Sequence, residues 1–201
     1  MQKDHNSDDA MTNGNMHHTA DDFLRRTKLS DAIDRNIERI GEIFGWLWLF
    51  LLIVIIANVI LRYAFSQGMI ELEELQWYLY AAAWLFGLSY TFICDGHVRV
   101  DVVHDQLSIK TRVVLEFLGL VILFLPFVLF VVSYAIPFVE LSWQTNETST
   151  SANGLPARWL IKGCLLVSFI LLLLVGISRL IRVLATLRYG AIKPEEQARN
   201  D

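Results

Sequence analysis

The sequence predicts an all-α membrane protein with four transmembrane helices, preceded by an amphipathic cytoplasmic or interfacial helix. Three observations predict it. The 201 residues are 54% hydrophobic yet include 17 Lys and Arg and 21 Asp and Glu. An even spread would place about 15 of these charges in the windows 43–61, 75–93, 117–139 and 159–178. Those windows hold one, Lys162. Each window, at about 1.5 Å per residue, matches a hydrocarbon core of roughly 30 Å. Lys and Arg are also unevenly divided: Lys3, Arg25, Arg26, Lys28, Arg35 and Arg39 precede the first window, Arg99, Lys110 and Arg112 lie in the second connection, and Arg179, Arg182, Arg188, Lys193 and Arg199 follow the last. The other side has only Arg62, Arg158 and Lys162. Short cytoplasmic loops carry the positive excess, so both termini and the middle loop are expected in the cytoplasm. Finally, Leu29, Ile33, Ile37, Ile40 and Phe44 recur every three or four residues ahead of the first window, the period of an amphipathic helix.

Taken in order, residues 1–22 are a polar tail with almost no apolar content and are expected to be a disordered cytoplasmic tail. The polar stretch before the first window is too long and too acidic for a cleavable signal peptide, so the first span is expected to stay as an anchor. Residues 23–42 are expected to form the amphipathic helix, with Arg25, Arg26, Lys28, Arg35 and Arg39 around its polar side. It can lie on the anionic inner leaflet or pack its apolar stripe on a protein partner.

The four spans form one membrane domain over 43–187, followed by a cytoplasmic tail over 188–201. In the first, Trp46 and Trp48 suit the headgroup level, and Asn58 is the one polar residue in the deeper part. Arg62 follows on the same helix face, and Glu71, Glu73 and Glu74 stand just ahead of the second span. A pairing of Arg62 with Glu73 or Glu74 would close the outer ends of the two helices; solvated interface charges are the alternative. The second span places Ala81, Ala82, Ala83, Gly87 and Ser89 among large aromatics, and such small residues allow close backbone approach in lipid. The third contains Pro126 and Pro137, which predict a kink and a frayed outer end; Glu116 precedes it. The fourth is entered through Gly154-Leu155-Pro156-Ala157-Arg158-Trp159, and Lys162 is close enough to the end to snorkel.

Much is excluded. No segment outside the windows is long enough to fold a catalytic domain, and no GxxxxGK, GxGxxG, HExxH or GxSxG motif occurs. A net charge of -4 and a pI near 5.7 give no nucleic-acid footprint. Cys94 and Cys164 fall toward opposite faces, too far apart for a disulfide. No span contains a histidine, and no Asp or Glu lies at mid-depth. Haem ligation and ion-coupled transport through this chain's own centre are thereby disfavoured. No catalytic residue, cofactor or metal site is expected.

The middle loop reads Asp95-Gly96-His97-Val98-Arg99-Val100-Asp101-Val102-Val103-His104-Asp105. Its alternation suits a short extended segment with His97, Arg99 and Asp101 on one side. The residues include metal-ligand types without zinc-like spacing, and a clasp of Arg99 with Asp101 or Asp95 is the preferred reading.

From about Ile33 to Leu187 the chain resembles the small membrane subunit, DctQ-like, of tripartite ATP-independent periplasmic (TRAP) transporters. The resemblance rests on Asn58-Val-Ile-Leu-Arg62-Tyr63, the Glu73-Glu74 pair, the Asp95-to-Asp101 loop and the entry Gly154-Leu155-Pro156-Ala157-Arg158-Trp159. Gly68-Met69-Ile70 stands where the family often has a tryptophan. The resemblance implies a scaffold subunit in the bacterial inner membrane, beside a large Na+-coupled permease subunit that holds the substrate and ion sites. It also implies a periplasmic solute-binding protein that delivers an organic acid, commonly a carboxylate. The small subunit would help dock that protein, and the outer residues Glu71, Glu140, Glu147 and Arg158 are candidates for the dock's edge. A stand-alone small exporter and a membrane anchor of an electron-transfer complex are the alternatives.

Overall fold

A computed structural model describes residues 24, 27–94, 107–151 and 154–190. These residues are helical with short connections, and among them there is no strand. Four long helices run alternately up and down: α1 (Lys28–Ala64), α2 (Ile70–Ile93), α3 (Ile109–Gln144) and α4 (Trp159–Tyr189). One end of the bundle carries the α1–α2 turn and the α3–α4 loop, here the turn end. The other, the tail end, carries the start of α1 and the close of α4.

Thr27 and Ser30 cap α1 reciprocally: the Ser30 N–H donates to Thr27 Oγ1 at 3.3 Å and the Thr27 N–H to Ser30 Oγ at 3.2 Å. From there the helix continues without a break for 37 residues, or about 55 Å, far more than a bilayer core requires. The separate amphipathic helix expected over 23–42 is therefore, from Lys28 onward, the first third of the first spanning helix. No Gly-Pro or turn signal interrupts it, and its inward face has a partner within the chain. Ser30 and Ile37 are buried, with Ser30 against α4.

In α3 the six residues Gly119–Phe124 form a π-helical stretch, closed by the Leu125 N–H donating to Leu120 O. Pro126, which has no N–H to donate, follows at once in the first turn of the resumed α-helix. The wider turn is how the helix passes this proline. Beyond Pro137 the helix continues to Gln144, so the frayed end expected there does not occur. Instead the Thr145 N–H closes onto Leu141 O at 3.0 Å. Gly190 ends α4 with φ +86, a left-handed conformation that glycine adopts without Cβ strain.

Helices α1, α2 and α4 pack on one another, and α3 lies along α4. A small core at the tail end joins Leu24, Val113, Leu120 and Val183, with Phe92, Phe117 and Phe124 packed against it. Beyond it Leu51, Phe86, Val128 and Leu172 are buried between helices, while many large apolar side chains face outward, among them Trp46, Ile53, Leu123 and Phe130. A soluble monomer would not expose so continuous an apolar surface.

Three helices, α1, α3 and α4, are long and apolar enough to cross a membrane. Helix α2 is not among them, because polar and aromatic residues interrupt its apolar ones, as in Gln76-Trp77-Tyr78.

Candidate functional site

At the turn end, Arg62 in the last turn of α1 forms an ion pair with Glu73 in the first turn of α2. Glu74 turns the other way. It accepts hydrogen bonds from the Ser149 hydroxyl and, at 2.6 Å, from the Leu155 N–H, fastening the α3–α4 loop onto α2. These two donors hold the Glu74 carboxyl below the ordinary glutamate range. Gly154 belongs to the same clasp: a Cβ there would lie 2.4 Å from Ser149 Cβ.

Within the loop, Glu147 pairs with Lys162 and, at 3.5 Å, with Arg158. Lys162 reaches out of α4 to Glu147 and lies 4.0 Å from the centre of the Phe138 ring. The hydrogen bond from Lys162 depresses the Glu147 pKa. Trp159 meets Trp143 edge to face at 4.4 Å, and Pro156 is exposed.

The pH dependence of the clasp follows from the sign of the Glu74 shift. A carboxyl with a depressed folded pKa stabilises the fold above the ordinary value of 4.5 and loses that contribution as pH falls through the folded value. The protection factor of the Leu155 amide, the intrinsic exchange rate over the observed rate at the same pH, is therefore expected to be high near neutrality and to fall as pH drops below 4.5. In Glu74→Gln the protection should be low at both pH values. Equal exchange in the two proteins at pH 7 would refute the clasp.

The tail end holds a second polar cluster. Ser178 Oγ donates to Asp34 Oδ1 at 2.8 Å, and Arg182 pairs with Asp34 and, at 3.2 Å, with Asp31. Arg182 Nε also donates to Ser30 Oγ at 3.0 Å. Beside it Arg179 pairs with Glu116 across the α3–α4 contact, both side chains mostly buried. The first third of α1 is thus held by α4 through charge.

Between the ends, Ala82 and Ala83 are buried, as expected for small residues at a helix contact. Gly87 is not in that contact: a Cβ there would meet nothing within 4 Å. It lines an open groove of about 550 Å³ between α1 and α2, together with Gly41, Phe44, Gly45, Trp48 and Ala83.

The structure thus brings Arg62 and Glu73 together and gives Glu74 to the α3–α4 loop. Asn58 is buried beneath Arg62. Asp95, Gly96, His97, Arg99 and Asp101 lie outside the described residues, as do residues 1–23 and 191–201. Sequence reasoning noted Glu116 as the residue preceding a span but missed its pairing with Arg179; it counted Arg182 only among the tail charges and gave no role to Asp34 or Ser178. The available signal was a row of polar residues at helical spacing, Ser30, Asp34 and Ser178, Arg182, on two helices whose ends meet.

A family model described as tripartite ATP-independent periplasmic transporters, DctQ component, matches residues 51–186. The match covers α2, α3 and most of α1's and α4's apolar stretches. No curated protein matches the chain.

Proposed function

The chain belongs to the DctQ family, the small membrane component of TRAP transporters, and from that premise we propose that it is the scaffold beside a large Na+-coupled permease in the uptake of an organic acid of the carboxylate class. The family is a transporter component and not an enzyme family, and the apolar helices make the chain a multi-pass inner-membrane protein.

The finer reading has α2 as the fourth span, flanked by α1 and α4, with the termini cytoplasmic and the turn end periplasmic. One observation carries the scaffold role. The charged residues within and beside the apolar stretches gather at the two ends, where Arg62, Glu73, Glu147, Lys162, Glu116, Arg179, Asp34 and Arg182 pair within the chain. A carrier that moves an acid or ion through its own centre has polar groups there. This chain uses its charges to hold helices together and leaves the substrate and Na+ sites to the permease.

The turn end, facing the periplasm in this reading, offers Glu71 and Glu140 to the solute-binding protein. Glu147 and Arg158 pair with each other, so reversing either would open the loop as well as alter the surface. The groove beside Gly87 is the surface assigned to the permease.

Reconstitution tests the reading. Proteoliposomes with the full chain alone should take up no carboxylate, whereas the chain with a co-expressed permease and binding protein should show Na+-dependent uptake. Glu71→Lys with Glu140→Lys should change the salt dependence of uptake without separating the membrane pair. Gly87→Leu should reduce co-purification with the permease. Uptake by the chain alone would overturn the scaffold role.

A further inference from the structure

A cavity of about 280 Å³ lies between α1 and α2 at the turn end, lined by Asn58, Arg62, Tyr63, Glu73, Gln76 and Trp77 among others. Its polar groups form two layers. The upper layer is the Arg62–Glu73 ion pair, about half exposed, with Tyr63 and Trp77 exposed at the rim. The lower layer is uncharged. Asn58 lies four residues below Arg62 on α1 and Gln76 three residues below Glu73 on α2, each about one helical turn or roughly 5 Å deeper.

The lower layer is chemically incomplete within the chain. Asn58 is only 7% exposed, and among the described residues its Oδ1 and the Nε2 of Gln76 have no hydrogen-bond partner. Leaving a carboxamide unpaired at membrane depth is costly, so a polar group from outside the chain is called for.

We propose that this cleft binds the head of a zwitterionic glycerophospholipid of the phosphatidylethanolamine type. Such a lipid presents the same two layers in the same order. Its phosphate and ammonium lie outermost and match the cation and anion of Arg62 and Glu73. Its ester carbonyls lie deeper, where one accepts from Gln76 Nε2. A half-turn of the Asn58 carboxamide presents Nδ2 to the other carbonyl. An anionic head is a poorer match, because it would set uncompensated negative charge beside Glu73. A single polar side chain from another helix would satisfy one layer only. The exposed Tyr63 and Trp77 rings also belong at the headgroup level. The inference needs the chain to lie in a bilayer and does not depend on its role in transport.

Native mass spectrometry of the full chain, delipidated in mild detergent and then supplied with phosphatidylethanolamine or phosphatidylglycerol, tests it. The wild type should retain one phosphatidylethanolamine at least fivefold more than phosphatidylglycerol. Asn58→Leu with Gln76→Leu should retain at least fivefold less of either lipid, since both carry the ester carbonyls, while keeping its melting temperature without lipid because the substitution removes two unpaired buried amides. Glu73→Gln, which leaves the lower layer intact, should shift the preference toward phosphatidylglycerol. Equal retention by the wild type and the double variant would overturn the proposal. So would a double variant that keeps its lipid but no longer co-purifies with the permease, which would assign the two amides to a partner helix.

Discussion

Arg182→Leu is expected to lower the unfolding free energy in detergent by about 3 kcal/mol, the scale for removing one partner of a mostly buried ion pair. The substitution strands the Asp34 carboxylate, whose side chain is only 15% exposed, and removes the donor to Ser30 Oγ. Asp34 lies on α1 ahead of the apolar stretch. Burial raises its pKa above 3.8, and Arg182 and the Ser178 hydroxyl oppose that rise. Without Arg182 the folded pKa climbs further. A carboxyl whose folded pKa is raised favours the fold in its protonated form, so the deficit of the variant should be greatest above that pKa and shrink as pH falls through it.

Thermal unfolding of both proteins across pH checks the direction. Adding Asp34→Asn to Arg182→Leu should recover part of the loss, because the stranded charge is gone. The exposed Arg62–Glu73 pair is the contrast: Arg62→Ala should cost no more than about 1 kcal/mol. Equal losses at the two sites, or a deficit that grows on acidification, would refute the assignment of the cluster as the tie between α1 and α4.

Gly41→Leu is expected to cost about 3 kcal/mol, the upper end of the scale for overpacking. A Cβ at Gly41 would lie 2.6 Å from Tyr90 Cδ2 and 2.7 Å from Tyr90 Cβ. A ring can turn aside, but a Cβ is fixed to its backbone, so α1 and α2 would have to separate. That separation would also pull apart the Phe44 and Phe86 rings, stacked at 3.6 Å.

One turn along, a Cβ at Gly45 would meet nothing within 4 Å. Gly45→Ala in the isolated subunit should therefore stabilise by up to about 1 kcal/mol, the ordinary helix-propensity gain. The two glycines are alike in sequence context and opposite in expected sign. Melting temperatures that fall together, or rise together, would show that the Tyr90 contact does not set the helix separation.

The number and extent of the long helices could be read from composition because a bilayer core excludes charge over a fixed thickness. The windows 43–61, 117–139 and 159–178 each fall within one long helix, and 75–93 within α2. The pairing of Arg62 with Glu73 was also legible, as one of two options, since a short turn leaves their helix ends adjacent.

Other features depend on distances between elements remote in the chain. Glu74 bonds Leu155 across 81 positions, and Asp34 meets Arg182 across 148. No local period encodes such a choice of partner; it depends on how the helices rotate and shift as they pack. The same packing joined the expected interfacial helix to the first span, by giving Ser30 and Asp34 partners on α4. It also left Gly41 closed and Gly45 open. The length of charge-free apolar sequence determines which stretches can cross a bilayer, whereas the relative rotation of the helices sets which polar groups meet and which glycines are needed.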